Sequence, residues 1–173
     1  PLQAASLGAA DLPTDSNWYI HINLEQIRSS SVGQQFLLET PDQDGGAAGS
    51  WVLLQGQSLI VAGNEEQFVL PQGESAPLPI EGEPLYLGLW QGRPCRVARV
   101  EKDEALADGL VASDLLAGNP DLPIDLLSIG GLARQVLHWE GNSRYCSQCG
   151  VAMQRLPGEW GKRCPDCGGH HFP

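Results

Sequence analysis

Cys146 and Cys149 form one CxxC pair, Cys164 and Cys167 form a second, and fourteen residues separate Cys149 from Cys164. A CxxC turn aims two thiolates at one point, and two such turns at the tips of adjacent hairpins complete a tetrahedron of sulfurs around Zn²⁺. With all four positions filled by protein, no place is left for water. The site therefore holds structure together and does not generate a hydroxide nucleophile. Iron, an iron–sulfur cluster or a redox dithiol pair are the other chemistries this spacing admits. Gly150 follows the first knuckle and Gly168 and Gly169 follow the second, where the chain must turn through positive φ. A unit of about 30 residues buries too little apolar surface to fold alone, and metal binding of about 10 kcal/mol or more compensates. Zinc is expected to fold it.

Other residues with chemical potential have plainer readings. Cys95 stands alone in a predicted strand with no histidine to pair with, so it reads as a small buried hydrophobe. His170 and His171 are surplus to a four-cysteine site and read as surface or packing residues; His21 and His138 read as satisfied structural histidines. Trp139, Tyr145, Trp160 and Phe172 bracket the cysteines and are expected to form the small core of the ribbon, although any one could stack on a flat ring. Glu101, Asp103 and Glu104 lie close in sequence, but the adjacent Asp103 and Glu104 would face different directions on a helix and make a poor metal cage.

The elements that must position the cysteines follow from periodicity and turn signals. Pro1 to Ser16 lacks sustained periodicity and is expected to be a flexible leader. Short β-branched and aromatic runs at Trp18–Ile22, Trp51–Gln55, Ser58–Ala62 and Gln67–Leu70 predict a meander of antiparallel strands. Leu24–Glu39 reads as a short helix and Pro41–Ser50 as a Gly and Asp loop. Leu85–Trp90 and Cys95–Val100, joined through Gln91, Gly92, Arg93 and Pro94, predict a hairpin. Asp103–Ala117 has helical composition and ends at Gly118, Asn119 and Pro120. From Asp125 to Trp139, Ile129, Leu132, Ala133, Val136 and Leu137 recur at helical spacing, with Gly130 and Gly131 weakening the helix by roughly 1 kcal/mol each against Ala. Gly141 and Asn142 mark a boundary. The fold class is α+β: a small antiparallel-sheet domain with helices over residues 17–124, a linker helix over 125–142 and a four-cysteine zinc ribbon over 143–173.

Charge narrows the partners. The 173 residues carry a net −11. Residues 1 to 143 hold six of the ten Lys and Arg and nineteen of the twenty-one acids, a net −13, whereas the cysteine-bearing segment is +2. A polyanion would be repelled by the larger part and only weakly attracted by the ribbon, so nucleic acid is not an expected partner of these residues alone. There is no apolar run long enough to span a membrane and no basic n-region of a secretory signal, which points to the cytoplasm.

The runs GLARQVLHWEGNSRYCSQCG from Gly131 and GEWGKRCPDCGGHHFP from Gly158 resemble the linker helix and zinc ribbon of bacterial NADH pyrophosphatases, which are Nudix hydrolases. YLGLWQGRPCRV, from Tyr86, resembles the hairpin closing that family's N-terminal Nudix-like domain. The resemblance covers roughly Leu85 to Pro173. It implies an order of Nudix-like domain, zinc ribbon and catalytic Nudix domain, the last beginning just after a proline matching Pro173. The Nudix signature, whose clustered carboxylates hold Mg²⁺ or Mn²⁺, has no match here: Glu65 and Glu66 are preceded by Val61 and Ala62 where the signature places Arg and Glu. The expectation is thus an N-terminal portion of a homodimeric enzyme that hydrolyses the diphosphate of NADH or NAD to a nicotinamide mononucleotide and AMP, and in some members removes NAD caps from RNA. The portion itself is expected to be structural, inactive alone and without catalytic residues. By resemblance Phe172 would contact substrate. The competing readings are a non-catalytic zinc-ribbon interaction or dimerisation module and a nucleic-acid-binding ribbon.

Overall fold

A computed structural model describes residues 36–39, 43–64, 67–117 and 122–173. The leader over 1–16, the strand over Trp18–Ile22, all but the end of the helix over Leu24–Glu39, and the Glu65–Glu66 pair lie outside the described residues.

The central strand is β2 (Gly49–Gln55), and its run WVLL is apolar without alternation because both faces are covered. On one face Val52 and Leu54 join Leu59, Val61, Val97 and the helix residues Leu126, Ile129, Ala133 and Val136. On the other, Trp51 and Leu53 pack with Ile60, Ala98, Val100 and Leu78. β2 pairs antiparallel with β3 (Ser58–Asn64) through the tight turn at Gly56, and parallel with β7 (Arg93–Val100), Ser50 opposite Cys95 through Gln55 opposite Val100. The meander expected to be wholly antiparallel is therefore a mixed sheet, within the α+β class foreseen. A doubly buried β2 can pair with a strand distant in sequence, and its hydrophobic run carries no signal of direction.

β6 (Glu81–Trp90) and β7 form the expected hairpin, turned by Gln91 and Gly92, both at positive φ (51° and 75°), the conformation of a type I′ turn. β1 (Phe36–Leu38) pairs on the outer edge of β6, so the end of the segment read as helical is a strand. β4 (Gln67–Val69) and β5 (Gln72–Gly73) pair with β3 and β2, giving the order β1-β6-β7-β2-β3-β4. The helix expected over Asp103–Ala117 is replaced by turns and by β8 (Leu110–Asp114), which pairs antiparallel along β3. The free edge of β3 offers unpaired backbone groups, and a strand satisfies them where an exposed helix would not. In the turn, Gln55 Nε2 donates to the carbonyls of Glu101 and Glu104 at 3.1 and 2.8 Å, so these acids stand on no helix.

The helix α1 (Ile124–Asn142) matches the periodicity that foretold it and lies across the β2–β7 face. Gly130 lets it approach closely: a Cβ there would sit 2.7 Å from Leu115 Cδ2 and 3.4 Å from Leu59 Cδ2. Ser143 N donates to the Trp139 carbonyl at 2.9 Å, closing the last turn directly into the cysteine-rich segment. Among the described residues no helix is long and apolar enough to cross a membrane.

Candidate metal centre

Two knuckles with the same wiring make the centre. In the first, Cys146 N donates to the Val151 carbonyl (2.8 Å) and Gly150 N donates back to the Cys146 carbonyl (2.9 Å). In the second, Cys164 N donates to the Gly169 carbonyl (2.7 Å) and Gly168 N to the Cys164 carbonyl (3.1 Å). Gly150 and Gly168 each sit at φ 76°, where a side chain would be strained, which is the sequence expectation for both. A three-stranded sheet of β9 (Gln154–Arg155), β10 (Lys162–Arg163) and β11 (His170–His171) holds the knuckles side by side.

The four sulfurs converge. Cys146 and Cys167 Sγ are 3.5 Å apart, Cys149 and Cys164 Sγ 3.4 Å, Cys149 and Cys167 Sγ 3.7 Å, and all four lie within 4.8 Å of one another. A tetrahedron of thiolates with Zn–S of ~2.3 Å has edges of ~3.8 Å, close to these separations. The donor set fits zinc, with all four tetrahedral positions taken by cysteine sulfur. Cys146 and Cys164 are buried and Cys149 and Cys167 exposed, so each knuckle contributes one inner and one outer sulfur.

The backbone prepares the thiolates. N–H groups of Cys149 and Gln148 pull the Cys146 thiol down to about 6, and those of Cys167 and Asp166 lower Cys164 despite its burial. Cys149 accepts the Val151 N–H, which favours the thiolate, but the neighbouring sulfurs of Cys164, Cys146 and Cys167 push it up to about 12. Cys167 is likewise raised, its Gly169 N–H outweighed by Cys146 and Cys164. Four clustered thiols cannot all ionise without a cation, and a divalent metal resolves that conflict.

The centre is strapped to the larger sheet by contacts that the sequence reading missed, since each joins residues far apart in the chain. Glu140, on the last turn of α1, takes Arg155 Nη2 at 2.6 Å and Lys162 Nζ at 3.0 Å. Lys162 is buried, its ammonium 5.1 Å from the Trp139 ring centroid. Trp160 meets Trp139 edge to face at 6.1 Å and donates its indole N–H to the Glu39 carbonyl beside β1 at 2.7 Å. The only sequence hint was the cluster of tryptophans.

Other expected residues fall as follows. Trp139 is buried and Trp160 half-buried, as a small core requires, but Tyr145 and Phe172 are 67% and 54% exposed and are not core. Tyr145 sits in an isolated bridge to Ala152 and Phe172 just past β11, both at the rim of the small ribbon sheet. Phe172 lies along Gly161, where a Cβ would meet its ring at 2.5 Å, and stacks on His170 at 6.2 Å. His170 and His171 are exposed on β11, outside the sulfur cluster. His138 is exposed too, on α1, bonding to Asn142. Cys95 is fully buried, and that burial pushes its thiol up to about 12, the state of an inert packing residue.

Comparison with known families agrees with this geometry. Residues 48–139 match the family described as an NADH pyrophosphatase-like rudimentary NUDIX domain, and residues 142–172 match the NADH pyrophosphatase zinc ribbon domain. The chain is similar to the NAD-capped RNA hydrolase NudC of Stutzerimonas stutzeri, 39% identical over 49 residues, which is 28% of this chain and 18% of that protein. It is also similar to the NAD-capped RNA hydrolase NudC of Deinococcus radiodurans, 35% identical over 52 residues, 30% of this chain and 19% of the relative. The chain thus matches less than a fifth of the length of either curated relative. With the sheet and α1 under the first family and the paired knuckles under the second, the chain belongs to the NADH pyrophosphatase-like Nudix family, as a rudimentary Nudix domain leading into a zinc ribbon.

Proposed function

We propose that these residues are the N-terminal, non-catalytic part of a longer NAD(H) diphosphatase, divided as residues 17–124 (Nudix-like domain), 125–142 (linker helix) and 143–173 (ribbon), after a leader over 1–16. Cys146, Cys149, Cys164 and Cys167 bind one structural zinc. A Nudix helix elsewhere in the longer protein holds Mg²⁺ or Mn²⁺, and the whole cleaves the diphosphate of NADH or NAD to a nicotinamide mononucleotide and AMP. NAD-capped RNA, named in both relatives, is a second substrate. The protein is a cytoplasmic homodimer, a setting in which free thiols stay reduced.

The observation that carries this reading is the head-to-tail succession of the two family matches, 48–139 and 142–172, across one continuous helix. Among the described residues the four cysteines are also the one group of three or more His, Cys, Asp or Glu side chains whose ligand atoms converge. When bound, zinc supplies cross-linking of the two knuckles. The chain's own residues do the positioning: Glu140 gathers Arg155 and Lys162, and Trp160 anchors the ribbon beside β1. Phe172, half exposed beside Gly161 and parallel to the His170 ring, is the substrate contact proposed in this segment.

The test is release of AMP from NADH with Mg²⁺ or Mn²⁺. This chain alone should give none, and a longer polypeptide continuing through a Nudix box should turn over. Comparable turnover by the 173 residues alone would contradict the assignment. In the longer polypeptide Phe172→Ala should raise KM for NADH several-fold with the zinc content unchanged.

A further inference from the structure

A cleft outside the sulfur cluster runs along α1 opposite the turn between β2 and β3, about 990 Å³ in volume and lined from Leu127 to His138. At 1.5 Å per residue that stretch is ~16 Å long. Leu116, Leu127 and Leu132 give it an apolar wall, with Leu116 53% exposed.

Two observations set this cleft apart from an ordinary surface groove. The first is charge. Residues 1 to 143 hold only six Lys and Arg against nineteen acids, and yet Arg99 and Arg134 both line this one cleft. Arg96 pairs with Asp44 and Arg93 with Gln72, whereas the side chains of Arg99 and Arg134 make no ion pair or hydrogen bond with the described residues. Arg99 is half-buried on β7 as well, opposite Glu81 of β6, with which it forms no ion pair, so its guanidinium gives up part of its hydration without a direct partner among the described residues. The second is Gly131. Its neighbour Gly130 is explained by Leu115 and Leu59, but a Cβ at Gly131 would meet nothing within 4 Å. A mid-helix glycine costs about 1 kcal/mol against alanine, and no packing among the described residues requires this one. It leaves the helix backbone bare at the middle of the cleft, where a flat or extended body could lie close.

We propose that this cleft binds a small amphipathic anion, its apolar body against Leu116, Leu132 and the bare backbone at Gly131 and its anionic head between Arg99 and Arg134. The shared chemistry is a flat ring or acyl chain bearing one phosphate, sulfonate or carboxylate.

Titration of the zinc-loaded chain with 8-anilinonaphthalene-1-sulfonate, followed by its fluorescence, tests this. One saturable site is expected. Arg99→Gln with Arg134→Gln should weaken it at least tenfold, and so should Gly131→Leu, which fills the cleft while leaving the thermal midpoint unchanged or higher. Displacement by 1-naphthyl phosphate identifies a flat-ring anion and displacement by decanoate an acyl anion; either supports the proposal. Absence of saturable binding, affinity unchanged in the double arginine variant, or displacement by neither competitor would overturn it. A loss of thermal stability in Gly131→Leu would show instead that the glycine serves the fold. Because the readout needs no turnover, it stands or falls separately from the diphosphatase reading.

Discussion

Arg96 shows how one buried cation fixes a loop. Its Nε lies 2.6 Å from Asp44 Oδ2, it donates to the Ala47 carbonyl at 2.9 Å, and its guanidinium sits 5.6 Å from the Trp51 ring centroid. The hydrogen bond from Arg96 holds the Asp44 carboxyl below its usual 3.8. A lowered folded-state value means the contribution is fully present above the unfolded value of about 3.9 and is lost as pH falls through the lower folded one. Asp44→Asn should therefore lower stability at pH 7 by about 2 kcal/mol, since it strands a buried guanidinium, and should flatten the pH dependence below pH 4. Urea unfolding at pH 7 and pH 3 checks both. Close approach is as strict at Gly49, where a Cβ would stand 2.1 Å from the Pro94 carbonyl oxygen. Gly49→Ala should cost about 2 kcal/mol or more in the same measurement, because backbone and not a flexible side chain blocks the space.

At the scale of elements, α1 and the ribbon act together through Glu140. Replacing it with alanine frees Arg155 and leaves Lys162 buried with its ammonium unpaired, at an expected cost of about 2 kcal/mol. Hydrogen exchange should locate the effect in Gln154–Arg155, Lys162–Arg163 and the last turn of α1, with β2 and β3 unaffected. Trp160→Phe keeps the ring but removes the donor to the Glu39 carbonyl, a loss of about 1 kcal/mol felt at the β1 edge. Which elements could be read in advance follows from how local their signals are. The knuckles were legible because ligand type, spacing and the glycines after them sit in short windows, and α1 because Ile129, Leu132, Ala133, Val136 and Leu137 keep one face apolar. β8 was not: Leu110–Asp114 is short, half-exposed and set in helix-forming composition, and only the vacant edge of β3 makes it a strand. The parallel β2–β7 pairing and the Glu140 clamp depend on residues brought together across the chain, for which neither segment carries a mark by itself.

The whole molecule joins an acidic sheet domain to a mildly basic ribbon by a helix whose last turn belongs to both. The sheet has cores on two faces and does not need the metal, whereas the ribbon has Trp139, Trp160 and four sulfurs and little else. Stability should therefore be unequal: chelation should release the ribbon while leaving the sheet folded. The most direct test is elemental analysis of the purified chain beside its Cys164→Ser variant, with amide NMR spectra of both. One zinc per chain is expected in the first. In the second, zinc should be lost and ribbon amides collapsed to unfolded positions, with those of Gly49–Gln55 and Ser58–Val61 in place. A ribbon that stays folded without metal, its cysteines paired as disulfides, would contradict the account.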